Sequence, residues 1–77
     1  MEHYVVIFHW SNDEGGDVEI VGVCHSLDEA KEIFKKYAET EIPYAKKDGY
    51  KIYEHTDVMF EAGNEDGYEK LYIQGVV

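Results

Sequence analysis

The chain has no arginine, and its seven lysines face seventeen aspartates and glutamates, leaving a net charge of −10 over 77 residues. Nucleic-acid complexes draw much of their affinity from Lys and Arg set against phosphates, so this balance argues against direct nucleic-acid binding. It argues equally against docking on an anionic membrane. What it leaves is a basic protein partner, or a charge that serves solubility alone. Cysteine is nearly absent as well: Cys24 by itself cannot close an intrachain disulfide, and a reducing, cytoplasmic setting is expected. No apolar stretch approaches the roughly 20 residues that cross a bilayer. The apolar run at residues 5–8 is shorter than the roughly 7 to 15 residues of a signal-peptide core, and Glu2 stands where such a segment carries positive charge, so no export is expected.

Chemistry-bearing arrangements are equally scarce. The four histidines, His3, His9, His25 and His55, form no H-x₃-H or HExxH pattern. His3 and His9 share strand parity but lie about 20 Å apart along an extended chain. Cys24 and His25 are neighbours whose side chains diverge in a strand, so they do not make a nucleophile and base, and Cys24 reads as a small core thiol. The loops NDEGGD and GNEDGYE depart from the calcium-loop spacing. There is no serine on a glycine elbow and no glycine-rich phosphate loop. No catalytic residue, metal or cofactor is therefore expected.

What is there is a clear alternation of strands and one helix. Residues 3–10 (HYVVIFHW) are β-branched and aromatic and predict a strand, followed by the turn-like SNDEGG. Residues 17–24 (DVEIVGVC) alternate, with Val18, Ile20, Gly22 and Cys24 on one side and Asp17, Glu19, Val21 and Val23 on the other, so the two strands predict a hairpin. Ser26 followed by Glu29 is a capping box. From Leu27, at about 100° per residue, Ala30, Ile33, Phe34, Tyr37 and Ala38 fall in one arc. Glu41 would turn back into that arc and Pro43 biases Ile42 away from helical angles, so the helix is expected to end near Thr40. Residues 50–61 (YKIYEHTDVMFE) read as one long strand bulged about Thr56 and Asp57, and residues 62–67 as a turn. Residues 68–77 then read as the last strand, closing a second hairpin. The expected fold class is α+β with order ββαββ, one amphipathic helix packed on a four-stranded antiparallel sheet. Residues 1–77 make a single domain, which buries only roughly 60% of the unfolded surface and has no room for a deep pocket.

Apolar residues outnumber the places one helix can cover. In the first strand Tyr4, Val6, Phe8 and Trp10 share one side and His3, Val5, Ile7 and His9 the other, which places that strand inside the sheet. The last strand sets Tyr68, Tyr72 and Val76 against Leu71, Ile73 and Val77. An aromatic sheet face is therefore expected to stay open, with Tyr4, Phe8, Trp10, Tyr53, Tyr68 and Tyr72 as candidate contacts to a partner or a second copy. Asp13, Glu14, Asp17, Glu19, Glu61, Glu65, Asp66 and Glu69 are candidate contacts to a basic surface. Asp17 and Glu19, two apart on a strand, lie about 6.6 Å apart, close to two of the roughly 3.4 Å rises of a DNA strand, so nucleic-acid mimicry is one form such contacts could take. The function expected is that of a small acidic non-enzymatic protein-binding module, of the kind a phage or mobile element would use to inhibit a basic, nucleic-acid-binding protein. The alternative is a homodimeric accessory domain that pairs through its aromatic sheet face.

Overall fold

A hairpin opens the fold. The computed structural model describes residues 3–76. Strand β1 (His3–Asn12) turns at Asp13 and Glu14 into β2 (Gly15–Cys24). The side chain of Asn12 accepts the Glu14 amide at 2.8 Å, and Gly15 takes φ +142°, a conformation rarely adopted by residues with a side chain.

The strict alternation expected along β2 is broken by a bulge. Val6 pairs with Gly22 and Ile7 with Ile20, so Val21 is the extra residue. Gly22 and buried Cys24 therefore share one side of the sheet, while Val18 and Ile20 fall on the other. At Gly22 an added Cβ would come 2.9 Å from Ile33 Cδ1, so the missing side chain lets the helix settle on β2.

Helix α1 (Leu27–Lys47) begins as the capping box predicts, with Ser26 Oγ accepting the Glu29 amide at 3.2 Å. It continues well past Thr40. Pro43 stands on the solvent side, where the Glu39 carbonyl it leaves unbonded can be hydrated, and on either side of it Ile42 and Ala45 still pack on the core. The real stop is Gly49 at φ +75°: its amide bonds Lys46 O at 3.2 Å and the Tyr50 amide bonds Ala45 O at 2.9 Å, a Schellman closure. At about 1.5 Å per residue α1 is about 32 Å long, which matches the roughly 33 Å of a ten-residue strand.

The expected long third strand is two strands. β3 (Lys51–His55) turns back at Thr56, Asp57 and Val58 into β4 (Met59–Gly63), and β5 (Gly67–Val76) follows. Thr56 Oγ1 accepts the amides of Val58 at 3.2 Å and Met59 at 3.1 Å, and the Thr56 amide bonds Met59 O at 2.7 Å. A hydroxyl closes this turn without the glycine or asparagine that usually marks one. The order is thus ββαβββ, and the described residues form a five-stranded antiparallel sheet of order β2-β1-β5-β4-β3 rather than a four-stranded one. β1 lies inside it, as its two apolar sides predict, and β5 pairs with β4 as the second hairpin. Val77 lies outside the described residues.

The core lies between α1 and one sheet face. Val6, Phe8, Cys24, Phe60, Ala62 and Leu71 rise from the strands to meet Phe34 and three alanines of the helix, Ala30, Ala38 and Ala45, whose small side chains let it approach closely. Phe34 and Phe60 are the largest fully buried side chains.

Candidate functional site

The register assigns every residue on the face that α1 leaves uncovered. Ile20 pairs with Ile7, Ile7 with Tyr72, and Tyr72 with Met59, so one apolar row crosses four strands. Val23, Val5 and Gln74 form the row on one side of it, and Val18, His9, Lys70, Glu61 and Glu54 the row on the other. At the β2 edge the surface is most open: Val18, Ile20 and Val23 are 57, 57 and 63% exposed. Lys70 Nζ lies 5.1 Å from the centre of the Tyr72 ring, and the Tyr68 hydroxyl donates to Glu61 Oε2. Burial and that carboxylate push the Tyr68 phenol up to about 12.

The six aromatic candidates do not share this face. Tyr68 and Tyr72 lie on it, and exposed Tyr53, at the β3 irregularity, is close enough to Tyr68 to be felt electrostatically. Tyr4, Phe8 and Trp10 are on the other side, the side the helix covers. Phe8 is 6% exposed with its ring 5.1 Å from that of Tyr37, and Tyr4 packs against the core. The sequence shows two apolar sides to β1 but not which one α1 chooses, and α1 chooses the aromatic one. The open face is consequently more aliphatic than expected.

The eight acidic candidates are divided among three places. Asn12 pairs with both Gly15 and Gly67, so the turns carrying Asp13, Glu14, Glu65 and Asp66 adjoin at one pole, where Glu65 and Asp66 line a shallow hollow of about 240 Å³. Asn64 holds its turn by accepting the amides of Asp66 and Gly67 at 2.8 and 3.0 Å. Glu61 is on the open face. Asp17, Glu19 and Glu69 are on the helix side, and Glu69 is only 8% exposed, so it is not the surface contact expected of it. Its parity with Leu71 and Ile73 along the last strand is the signal that marks it as inward-facing.

Burial pushes Glu69 up to about 7, with the Glu41 and Asp48 carboxylates adding to the shift. Glu41 is raised in turn by burial and by Glu19. It was not among the sequence candidates, because a helix ending near Thr40 would not carry it over the sheet.

Between α1 and the β3–β4 turn runs a groove of about 420 Å³, floored by Phe34, Ala38, Ile42 and His55. The Lys31–Asp57 ion pair, at 3.1 Å, stands at its lip. Among the described residues no helix is long and apolar enough to cross a membrane, and no three or more His, Cys, Asp or Glu side chains converge as a metal site would require. The chain matches no family model, no curated protein and no solved structure.

Proposed function

We propose that this chain is a non-enzymatic binding module for a basic protein, which docks on the open sheet face. The observation that supports this reading most is the apolar row Ile20, Ile7, Tyr72 and Met59, which runs out to the β2 edge where Val18, Ile20 and Val23 stand in solvent. Apolar surface of this continuity on a small domain is characteristic of an interface. The flanking row brings Glu61 and Glu54 beside Lys70, and the acidic pole lies at one end of the same strands, so the apolar centre has acidic groups along one margin. Charge favours a basic partner over a second copy, since a dimer would bring two chains of −10 together. Proteins that bind nucleic acid are one class with the required surface, and an inhibitor of such a protein is the specific form we favour.

A second reading has an observation of its own. β2 is ten residues long and, among the described residues, is paired on one side only, so two copies could extend the sheet edge to edge. Capture with wild type and with Ile20→Asp, whose fold is checked by circular dichroism, separates the two. A partner lost on Ile20→Asp and weakened by salt supports the binding module. Sedimentation that shows a tight, salt-insensitive dimer abolished by the same substitution would instead support self-pairing and sink it.

A further inference from the structure

On the helix side of the sheet, at the end near the acidic pole, Trp10 pairs directly with Asp17 on β2 and with Glu69 on β5. Residues paired in this way share a face, with Cβ atoms about 5 Å apart. Tyr37 reaches down from α1 and its hydroxyl donates to Glu19 Oε2 at 3.5 Å. The Tyr37 phenol is pushed up to about 12 by burial and then by the Glu19, Glu41 and Glu69 carboxylates. Trp10 is 38% exposed, so the cluster opens to solvent along the indole.

Two features distinguish this cluster from a solvated acidic patch. Glu69 is more than nine-tenths buried, and its Oε1 has no hydrogen-bond partner among the described residues. Nor does any cation answer it. Among the described residues the ion pair is Lys31 with Asp57, on another part of the helix, and Lys70, next to Glu69 in the chain, lies over Tyr72 on the opposite face. The niche has acceptors from β2, α1 and β5, an aromatic wall, and no cation among the described residues.

We infer that this niche receives a guanidinium group, an arginine side chain carried on another polypeptide. A metal ion needs ligands that converge on one point, and these carboxylates do not. A guanidinium is several ångströms across, offers five donors in a plane, and stacks on an indole, so it can meet separated acceptors and Trp10 at once. The chain has no arginine of its own to fill it. The site is on the other side of the sheet from the open apolar face and stands or falls separately from it.

Trp10 is the sole tryptophan of the chain, so its emission reports the niche directly. The experiment titrates the full chain with acetyl-arginine amide at pH 8 and constant ionic strength. The neutral citrulline analogue is run alongside, and Glu69→Gln and Asp28→Asn are compared with wild type. Saturable binding is expected for the arginine compound and not for citrulline. Glu69→Gln should weaken it about tenfold, the loss of one charge-assisted contact, while Asp28→Asn, which removes the same charge from the exposed first turn of α1, should leave it unchanged. Equal weakening by both variants would show that the response is to net charge and would overturn the niche. So would an unaltered affinity in Glu69→Gln, or the same response to citrulline. Because Gln keeps the shape of the protonated carboxyl, folding of that variant is checked by its unfolding midpoint, and Glu41→Gln, at a half-buried position on α1, supplies a second removal with the same expected loss.

Discussion

Gly22 and Ile33 meet so closely that a Cβ on the glycine would lie 2.9 Å from the isoleucine Cδ1. That contact depends on the bulge at Val21, which turns Gly22 toward the helix. Gly22→Ala should therefore destabilise the fold by about 1 to 2 kcal/mol, as overpacking does. Ile33→Val removes the obstructing Cδ1, so the double variant should recover part of that loss. Urea unfolding of the four chains of the cycle measures the coupling, and strictly additive losses would contradict the contact.

Glu69 makes stability depend on pH. Its folded value, about 7, lies above the ordinary 4.5, so its contribution is fully present below about pH 4.5 and is lost as pH rises through 7. The difference corresponds to something on the order of 3 kcal/mol between pH 4.5 and pH 8. Glu41, raised in the same direction, adds to the trend. The urea midpoint should fall from pH 5 to pH 8 in the wild type and fall less in Glu69→Gln. A midpoint that holds level or rises over that window would refute the assignment.

The helix end offers opposite outcomes from two neighbouring changes. Pro43→Ala should stabilise by about 1 to 3 kcal/mol, since it restores an amide at an exposed helical position. Gly49→Ala should destabilise by about 1 kcal/mol, because φ +75° is strained for alanine. Thermal midpoints of the two variants test this, and stabilisation by Gly49→Ala would argue against the Schellman closure.

At the β3–β4 turn Thr56 accepts two amides through one hydroxyl. Thr56→Ala should cost about 1 kcal/mol and speed hydrogen exchange at Val58 and Met59. Asp57→Ala breaks the ion pair with Lys31, but Asp57 is largely exposed and Lys31 partly so, so less than about 0.5 kcal/mol should follow. Equal exchange rates in wild type and Thr56→Ala would show that the hydroxyl is not what closes the turn.

The parts of the fold that were legible in the sequence are those with local chemical signatures. Ser26 with Glu29 marked the helix start, the turn before Gly15 marked the first hairpin, and the residues around Asn64 and Gly67 marked the second. Illegible features depended on partners distant in the chain. Thr56, Asp57 and Val58 turn by means of a hydroxyl, with no glycine to announce it, so two strands read as one. Pro43 looked like a stop because its cost is visible locally, whereas the burial of Ile42 and Ala45 that outweighs it is not. The bulge at Val21 reverses half of β2 for the sake of Ile33. The acidic residues of the candidate sites were all visible as residues. Their division into a pole, an open face and a buried niche follows from Asn12 facing Gly67 and Trp10 facing Glu69, which only the strand order establishes.

The pairing of β1 with β5 joins the two halves of the sheet, and it links segments from nearly opposite ends of the described chain. Until that seam closes, β1 with β2 and β3 with β4 and β5 are separate ribbons. Contacts of such long sequence separation slow folding toward the millisecond-to-second range of β-rich domains. On the ribosome the domain would have to wait for its last strand, and an interrupted chain would leave β1, with its two apolar sides, as an open template for aggregation.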